Sequence, residues 1–163
     1  MPNKGQSCRG DGMRIRTIKP EFWKSESVGR LNKSVRLMYI GLWNHADDHG
    51  LFRAQPALIR SELFPYDDDV TNAIIAEWLE QLVQNDHMII LYKGLDGNQY
   101  GWIPKWKQHQ RIDKPQASKI PYPQRKDIPR TFLEDSKNSL GTFLDDSCLE
   151  QGREQGTGNR AVS

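Results

Sequence analysis

The sequence predicts an α+β fold, mainly helical with one small antiparallel sheet, in a chain of 163 residues. Three observations carry that expectation. Ile74, Ile75, Trp78, Leu79, Leu82 and Val83 form an apolar stripe at helical spacing, the pattern of a helix with one face on a core. A proline-led segment before it carries Leu58, Ile59, Leu63 and Phe64. After it, an Asp96-Gly97 pair flanked by aliphatic and aromatic residues marks a β-hairpin.

Taken in order, the elements begin at Asn32, a favourable helix cap, and the first helix runs to about Asp47 with Leu37, Ile40, Gly41 and Trp43 recurring along it. Gly50 supplies a flexible position after its end, and Leu51 to Ala54 fits a short strand. Pro56 opens the second helix, where its missing N–H costs nothing. Phe64-Pro65-Tyr66 ends that helix, and Thr71 caps the third. Met88 to Lys93 and Gln99 to Ile103 then form the hairpin. The order helix, strand, helix, helix, strand, strand is that of a winged helix-turn-helix, with its core in residues 32–103 and the domain reaching back to residue 13.

The remaining segments differ in composition. Residues 1–12 are polar, contain three glycines and lack apolar periodicity, so they read as disordered, and Met13 is an alternative start. Arg14 to Trp23 alternates basic and apolar residues, and Phe22 and Trp23 read as covering the core. Residues 104–130 combine a basic excess with Pro115, Pro121, Pro123 and Pro129. Those prolines forbid a long helix and predict an extended basic arm. Residues 131–163 are acidic, with Thr131-Phe-Leu-Glu-Asp-Ser136 repeated as Thr142-Phe-Leu-Asp-Asp-Ser147. Two six-residue copies cannot build a solenoid, so a disordered tail is expected. The mean hydropathy of −0.76 agrees with a chain that is only partly globular.

No run of 18 apolar residues and no secretory h-region occurs, which predicts neither a membrane span nor a signal peptide. Cys8 and Cys148 lie in polar segments at opposite ends, arguing against a disulfide framework and for a reducing, cytoplasmic setting. The net charge of +2 hides a segregation: −1 over residues 1–100, +6 over 101–130 and −3 over 131–163. Residues 1–36 alone hold nine basic and three acidic side chains. A near-neutral globule between basic segments suits a polyanion.

The candidate nucleic-acid contacts are therefore Arg14, Arg16 and Lys19 before the first helix, Lys93 on the hairpin, and Lys105, Trp106, Lys107, Arg111, Lys114 and Lys119 on the arm. Such an arm tracks phosphates, and Trp106 and Tyr122 offer rings for stacking on bases. The third helix contradicts the usual major-groove docking. Its outer face carries Asn72, Ala73, Glu77, Glu80, Gln81 and Gln84 with no Lys or Arg, and Asn72, Glu77, Glu80, Gln81 and Gln84 fit a protein-interaction face instead.

Two groups resemble metal sites. His45, Asp48 and His49 have ligand-like spacing, but a polar helix end collects such residues without a metal. Asp67, Asp68 and Asp69 precede a helix N-terminus, where the helix dipole favours carboxylates. No phosphate-binding loop, nucleophile elbow or catalytic pairing is present, so no enzyme, cofactor or metal is expected.

Several blocks carry a resemblance: Met13-Arg-Ile-Arg-Thr-Ile-Lys-Pro-Glu-Phe-Trp23, Gly41-Leu-Trp-Asn44 with Ala46-Asp-Asp-His-Gly50, Leu63-Phe-Pro-Tyr-Asp67, and Ile103-Pro-Lys-Trp106 with His109-Gln-Arg-Ile-Asp113. Over roughly Met13 to Pro123 the chain resembles the N-terminal region of phage and prophage replication proteins, the replisome organisers, which are similar in architecture to DnaD- and DnaT-type primosome proteins. The resemblance implies a winged-helix module acting at a replication origin or in helicase loading in a bacterial host. It also implies DNA, single- or double-stranded, a replicative helicase or helicase loader, and self-association as partners. The competing class is a protein-interaction module, as a scaffold or host-directed inhibitor, or a transcriptional regulator.

Overall fold

The computed structural model describes residues 12–133. The expectations for residues 1–11 and 134–163, with both cysteines and the second repeat, lie outside the described residues.

Helix α1 (Glu26–Arg30) follows a 3-10 turn, Pro20–Lys24, that buries Phe22. Helix α2 (Lys33–His45) starts where Asn32 Oδ1 accepts the Val35 N–H at 2.9 Å, which satisfies one of the open amides of the first turn. Its buried stripe is Val35, Met38, Tyr39, Leu42 and Trp43. The stripe expected from Leu37 is thus rotated: Leu37 is 59% exposed, because Met38 and Tyr39 claim the inward positions. Trp23 is likewise 59% exposed while Phe22 is buried, so only one of that pair covers the core.

Strand β1 (Leu51–Arg53) leads into helix α3 (Pro56–Leu63), and helix α4 (Asn72–Gln84) begins where the Thr71 hydroxyl accepts the Ile74 N–H. Ile75, Leu79 and Leu82 are buried, with Ile74, Trp78 and Val83 packed at the core margin, as the stripe predicts. Gly41 allows α2 and α3 to approach closely, since a Cβ there would lie 2.8 Å from Leu63 Cδ1.

Strands β2 (Ile90–Lys93) and β3 (Gln99–Trp102) form the wing, and the sheet order is β1-β3-β2, antiparallel throughout. Phe52 pairs with Gly101 and Tyr92 with Tyr100. A side chain at 101 would overlap the Phe52 ring. Asp96 secures the turn by accepting from Asn98 N–H at 3.1 Å and Tyr100 O–H at 2.5 Å. The fold is α+β and of winged-helix type.

The post-wing segment departs from the sequence expectation of a free arm. Helix α5 (Trp106–His109) buries Trp106, and the chain beyond it runs back over the sheet. Ile120 and Tyr122 pack on a second cluster of Leu51, Tyr92 and Tyr100, and Tyr92 O–H donates to Pro121 O at 2.6 Å. The prolines do keep this segment free of long helix, as expected. Its apolar residues nevertheless cover the outer face of a sheet that would otherwise expose tyrosine and leucine side chains to water.

Candidate nucleic-acid interface

The N-terminal residues 12–19 lie against the end of α2. Arg14 N–H donates to Asn44 O at 2.7 Å, and Asn44 Nδ2 returns a bond to Arg14 O at 2.8 Å. Arg16 reaches inward, donating to Trp43 O at 3.1 Å and Ala46 O at 2.9 Å, and pairing with Asp48 at 3.2 Å. Arg14 pairs with the same carboxylate at 2.6 Å. From the segment after the wing, Gln116 N–H donates to Asp48 Oδ2 at 3.0 Å and Trp106 Nε1 donates to Asp48 O at 3.0 Å. Burial opposes ionisation of Asp48, but the Gln116 amide and the two guanidinium groups outweigh it and hold the carboxyl below its ordinary range.

Gln110, 5% exposed, closes this arrangement. Its Oε1 accepts from Thr17 N–H at 3.1 Å and its Nε2 donates to Thr17 O at 2.7 Å. The Arg16 guanidinium also lies 5.1 Å from the Trp106 ring centroid, within cation–π range. Asn44, Gln110 and Gln116 carry no local pattern that marks this role, and Asp48 stood out only for its ligand-like spacing, because their partners lie tens of residues away.

The candidate contacts consequently divide. Arg16 and Trp106 are corrected: Arg16 has a side chain only 7% exposed and Trp106 is 5% exposed, so neither reaches a phosphate or a base. Both are committed to holding the segments before α1 and after the wing on the domain. Arg14 is half-buried and paired with Asp48. Tyr122 is likewise packed against the sheet, with its ring 5.8 Å from that of His49, and does not stand out as a stacking platform. Lys19, Lys93, Lys105, Lys107, Arg111, Lys114 and Lys119 are exposed. Lys19 Nζ donates to Gln108 O at 2.6 Å, which brings it to α5, and Lys105 opens that helix. Burial, then these two lysines, depress the His109 pKa, so its imidazole is favoured neutral. Lys93 stands apart at the end of β2. Arg111 pairs with Asp113 at 3.4 Å with both side chains almost fully exposed, a contact of little energetic weight.

The outer face of α4 is polar as expected. Asn72, Glu77, Glu80 and Gln84 are exposed and Gln81 is half-buried. Gln81 donates to Glu77 at 3.3 Å and Gln84 to Glu80 at 3.2 Å, an i,i+4 pairing that leaves both negative charges outward. Asp67, Asp68 and Asp69 are also exposed, extending the acidic surface before the helix.

The metal-like trio is engaged elsewhere. His45 Nδ1 lies 2.5 Å from Glu62, Asp48 takes both arginines, and His49 Nε2 lies 3.0 Å from Gln116 O. Among the described residues no group of three or more His, Cys, Asp or Glu side chains gathers as a metal site, and no helix is long and apolar enough to cross a membrane.

No protein-family model matches the chain, and no curated protein matches its sequence. Among solved structures, an N-terminal domain of a DNA binding protein is similar over 78% of this chain and 89% of that one, with a TM-score of 0.40 and 16% identity.

Proposed function

We propose that the chain is a non-enzymatic DNA-binding module whose contacts come from the surface around α5 and the segment after it, not from α4. The carrying observation is the placement of Lys19, Lys105, Lys107, Arg111 and Lys114 as exposed cations on segments fastened to the domain. The wing side of the fold adds Lys93 and Lys119. Phosphate contact by such residues is sequence-independent and salt-sensitive. The carboxylates on and before α4 would repel the backbone of a duplex, so a recognition role for that helix is not part of the proposal.

The finer reading, from the blocks shared with replisome organisers, places this binding at a replication origin or in primosome and helicase-loader assembly of a phage or prophage. A second reading is favoured by α4 itself: its exposed amide and carboxylate face, bonded only along its own helix by the Gln81–Glu77 and Gln84–Glu80 contacts, suits self-association or a protein partner. A mobility-shift assay on single- and double-stranded DNA at two salt concentrations tests the first reading. Binding that weakens steeply with salt supports it, and absence of binding at low salt overturns it.

A further inference from the structure

A groove of about 290 Å³ opens between α2, α5 and the turn after α4. Phe22, Tyr39 and Trp43 form its aromatic floor, and Lys19 and Lys105 border it. All three non-glycine residues with positive φ among the described residues line this groove: Asp86 at 56°, His87 at 48° and Lys105 at 59°. Left-handed backbone at such residues persists only where surrounding contacts enforce it, and it collects at binding sites. Here Asp86 is held by Ser27 at 2.5 Å and Arg30 at 2.9 Å, so its charge is already committed. His87 Nδ1 is buried with no hydrogen-bond partner among the described residues.

One side chain from a distant part of the sequence enters this groove. Phe132 lines it, with its ring 5.7 Å from that of His87 in an edge-on arrangement. The preceding residues deliver it there: Ile128 is buried, and Phe132 N–H donates to Pro129 O at 3.0 Å. Phe132 belongs to the first copy of the repeated motif, Thr131-Phe-Leu-Glu-Asp, and the second copy, Thr142-Phe-Leu-Asp-Asp, offers the same aromatic, aliphatic and acidic order eleven residues on. Lys19 and Lys105 line the groove together with Glu21 and Asp86; with Asp86 paired to Arg30, the remaining charges leave a positive excess that complements the acidic half of residues 142–147, and the aromatic floor suits its phenylalanine.

We infer that this groove is a docking site for the Thr-Phe-Leu-acidic motif, held by Phe132 of its own chain and able to take residues 142–147 of a second copy of the chain in its place. Exchange of one copy for the other would link chains through their tails. This goes beyond DNA binding and does not depend on it. Because Phe132 is tethered beside the groove, it competes with an added motif at a high effective concentration.

The test is fluorescence anisotropy of a labelled peptide of residues 140–147 titrated with the full chain. Against Phe132→Ala combined with Phe143→Ala, which removes both resident copies, the peptide should bind at least about fivefold more tightly than against the natural chain. Adding Lys19→Glu and Lys105→Glu should weaken that binding by about fivefold, and a peptide with Phe143→Ala should not bind. Equal binding by the natural and double-alanine chains, or by the two peptides, would overturn the inference. Should the double-alanine chain fail to fold, amide NMR shifts of His87, Lys105 and Phe132 in the natural chain serve instead: they should move together as peptide is added in excess, and unmoved signals would overturn it equally.

Discussion

Arg16 and Asp48 meet at 3.2 Å with side chains only 7% and 8% exposed, and the pair joins the segment before the first helical turn to the loop before β1. Removing the carboxylate strands a buried guanidinium, which costs about 3–5 kcal/mol when no substitute partner exists. Arg16 keeps its two backbone carbonyls, so Asp48→Ala is expected to lose about 3 kcal/mol in urea unfolding, at the lower end of that range. The Asp48 pKa is lowered in the fold, so its contribution is present above the unfolded carboxyl value of about 3.9 and is lost as pH falls through the lower folded value. The natural chain should therefore lose stability below about pH 4 more steeply than Asp48→Ala; parallel pH curves would refute the linkage.

Trp106→Ala should behave as a core deletion. The indole is 5% exposed and donates to Asp48 O, and loss of a buried tryptophan costs about 3–5 kcal/mol. Thermal melting is expected to fall sharply. Unchanged melting together with weakened DNA binding would restore Trp106 as a stacking residue.

Replacing Lys105, Lys107, Arg111 and Lys114 together with alanine should leave the fold intact, since all four are exposed. If these residues contact phosphates, the slope of log K against log salt should shrink by roughly 3. A slope that stays the same would mean that other cations carry the binding.

Glu77→Lys with Glu80→Lys reverses the charge of the α4 face without touching the buried stripe. Self-association or partner binding is expected to weaken in equilibrium sedimentation while DNA affinity stays level or rises. Unaltered association with lost DNA binding would reject the interaction-face reading.

Gly101→Ala tests the sheet. The added methyl would overlap the Phe52 ring across the β1–β3 pair, and overpacking of this kind costs about 1–3 kcal/mol. Calorimetry should register the loss, and a neutral result would show that Phe52 can shift aside.

The parts of the fold that were readable from sequence are those specified locally. Asn32 and Thr71 cap helices that they directly precede, and Asp96-Gly97 makes its turn with immediate neighbours. The α4 stripe repeats within one helix. By contrast, α1 and α5 have five and four residues, too few for periodicity to register. The roles of Arg16 and Trp106 were misread because basic and aromatic residues beside prolines look solvated, and their common partner Asp48 lies 32 and 58 residues away. Leu37 was misplaced for another reason: α2 is apolar on more than one side, so spacing alone does not choose its inward face.

The bonds between Thr17 and Gln110 span 93 residues of sequence, and that span orders events during synthesis. A chain leaves the ribosome N-terminus first. Residues 14–17 can meet Asn44 soon afterwards, but must wait for α3, α4, the wing and the turn beyond it before Gln110 arrives. Until then Arg16 lacks the shelter of Trp106, and the outer sheet lacks Ile120 and Tyr122. A segment that emerges after the wing thus seals the one before the first helix, and a polypeptide stopped at residue 103 would present helices and sheet with residues 12–19 still half-secured.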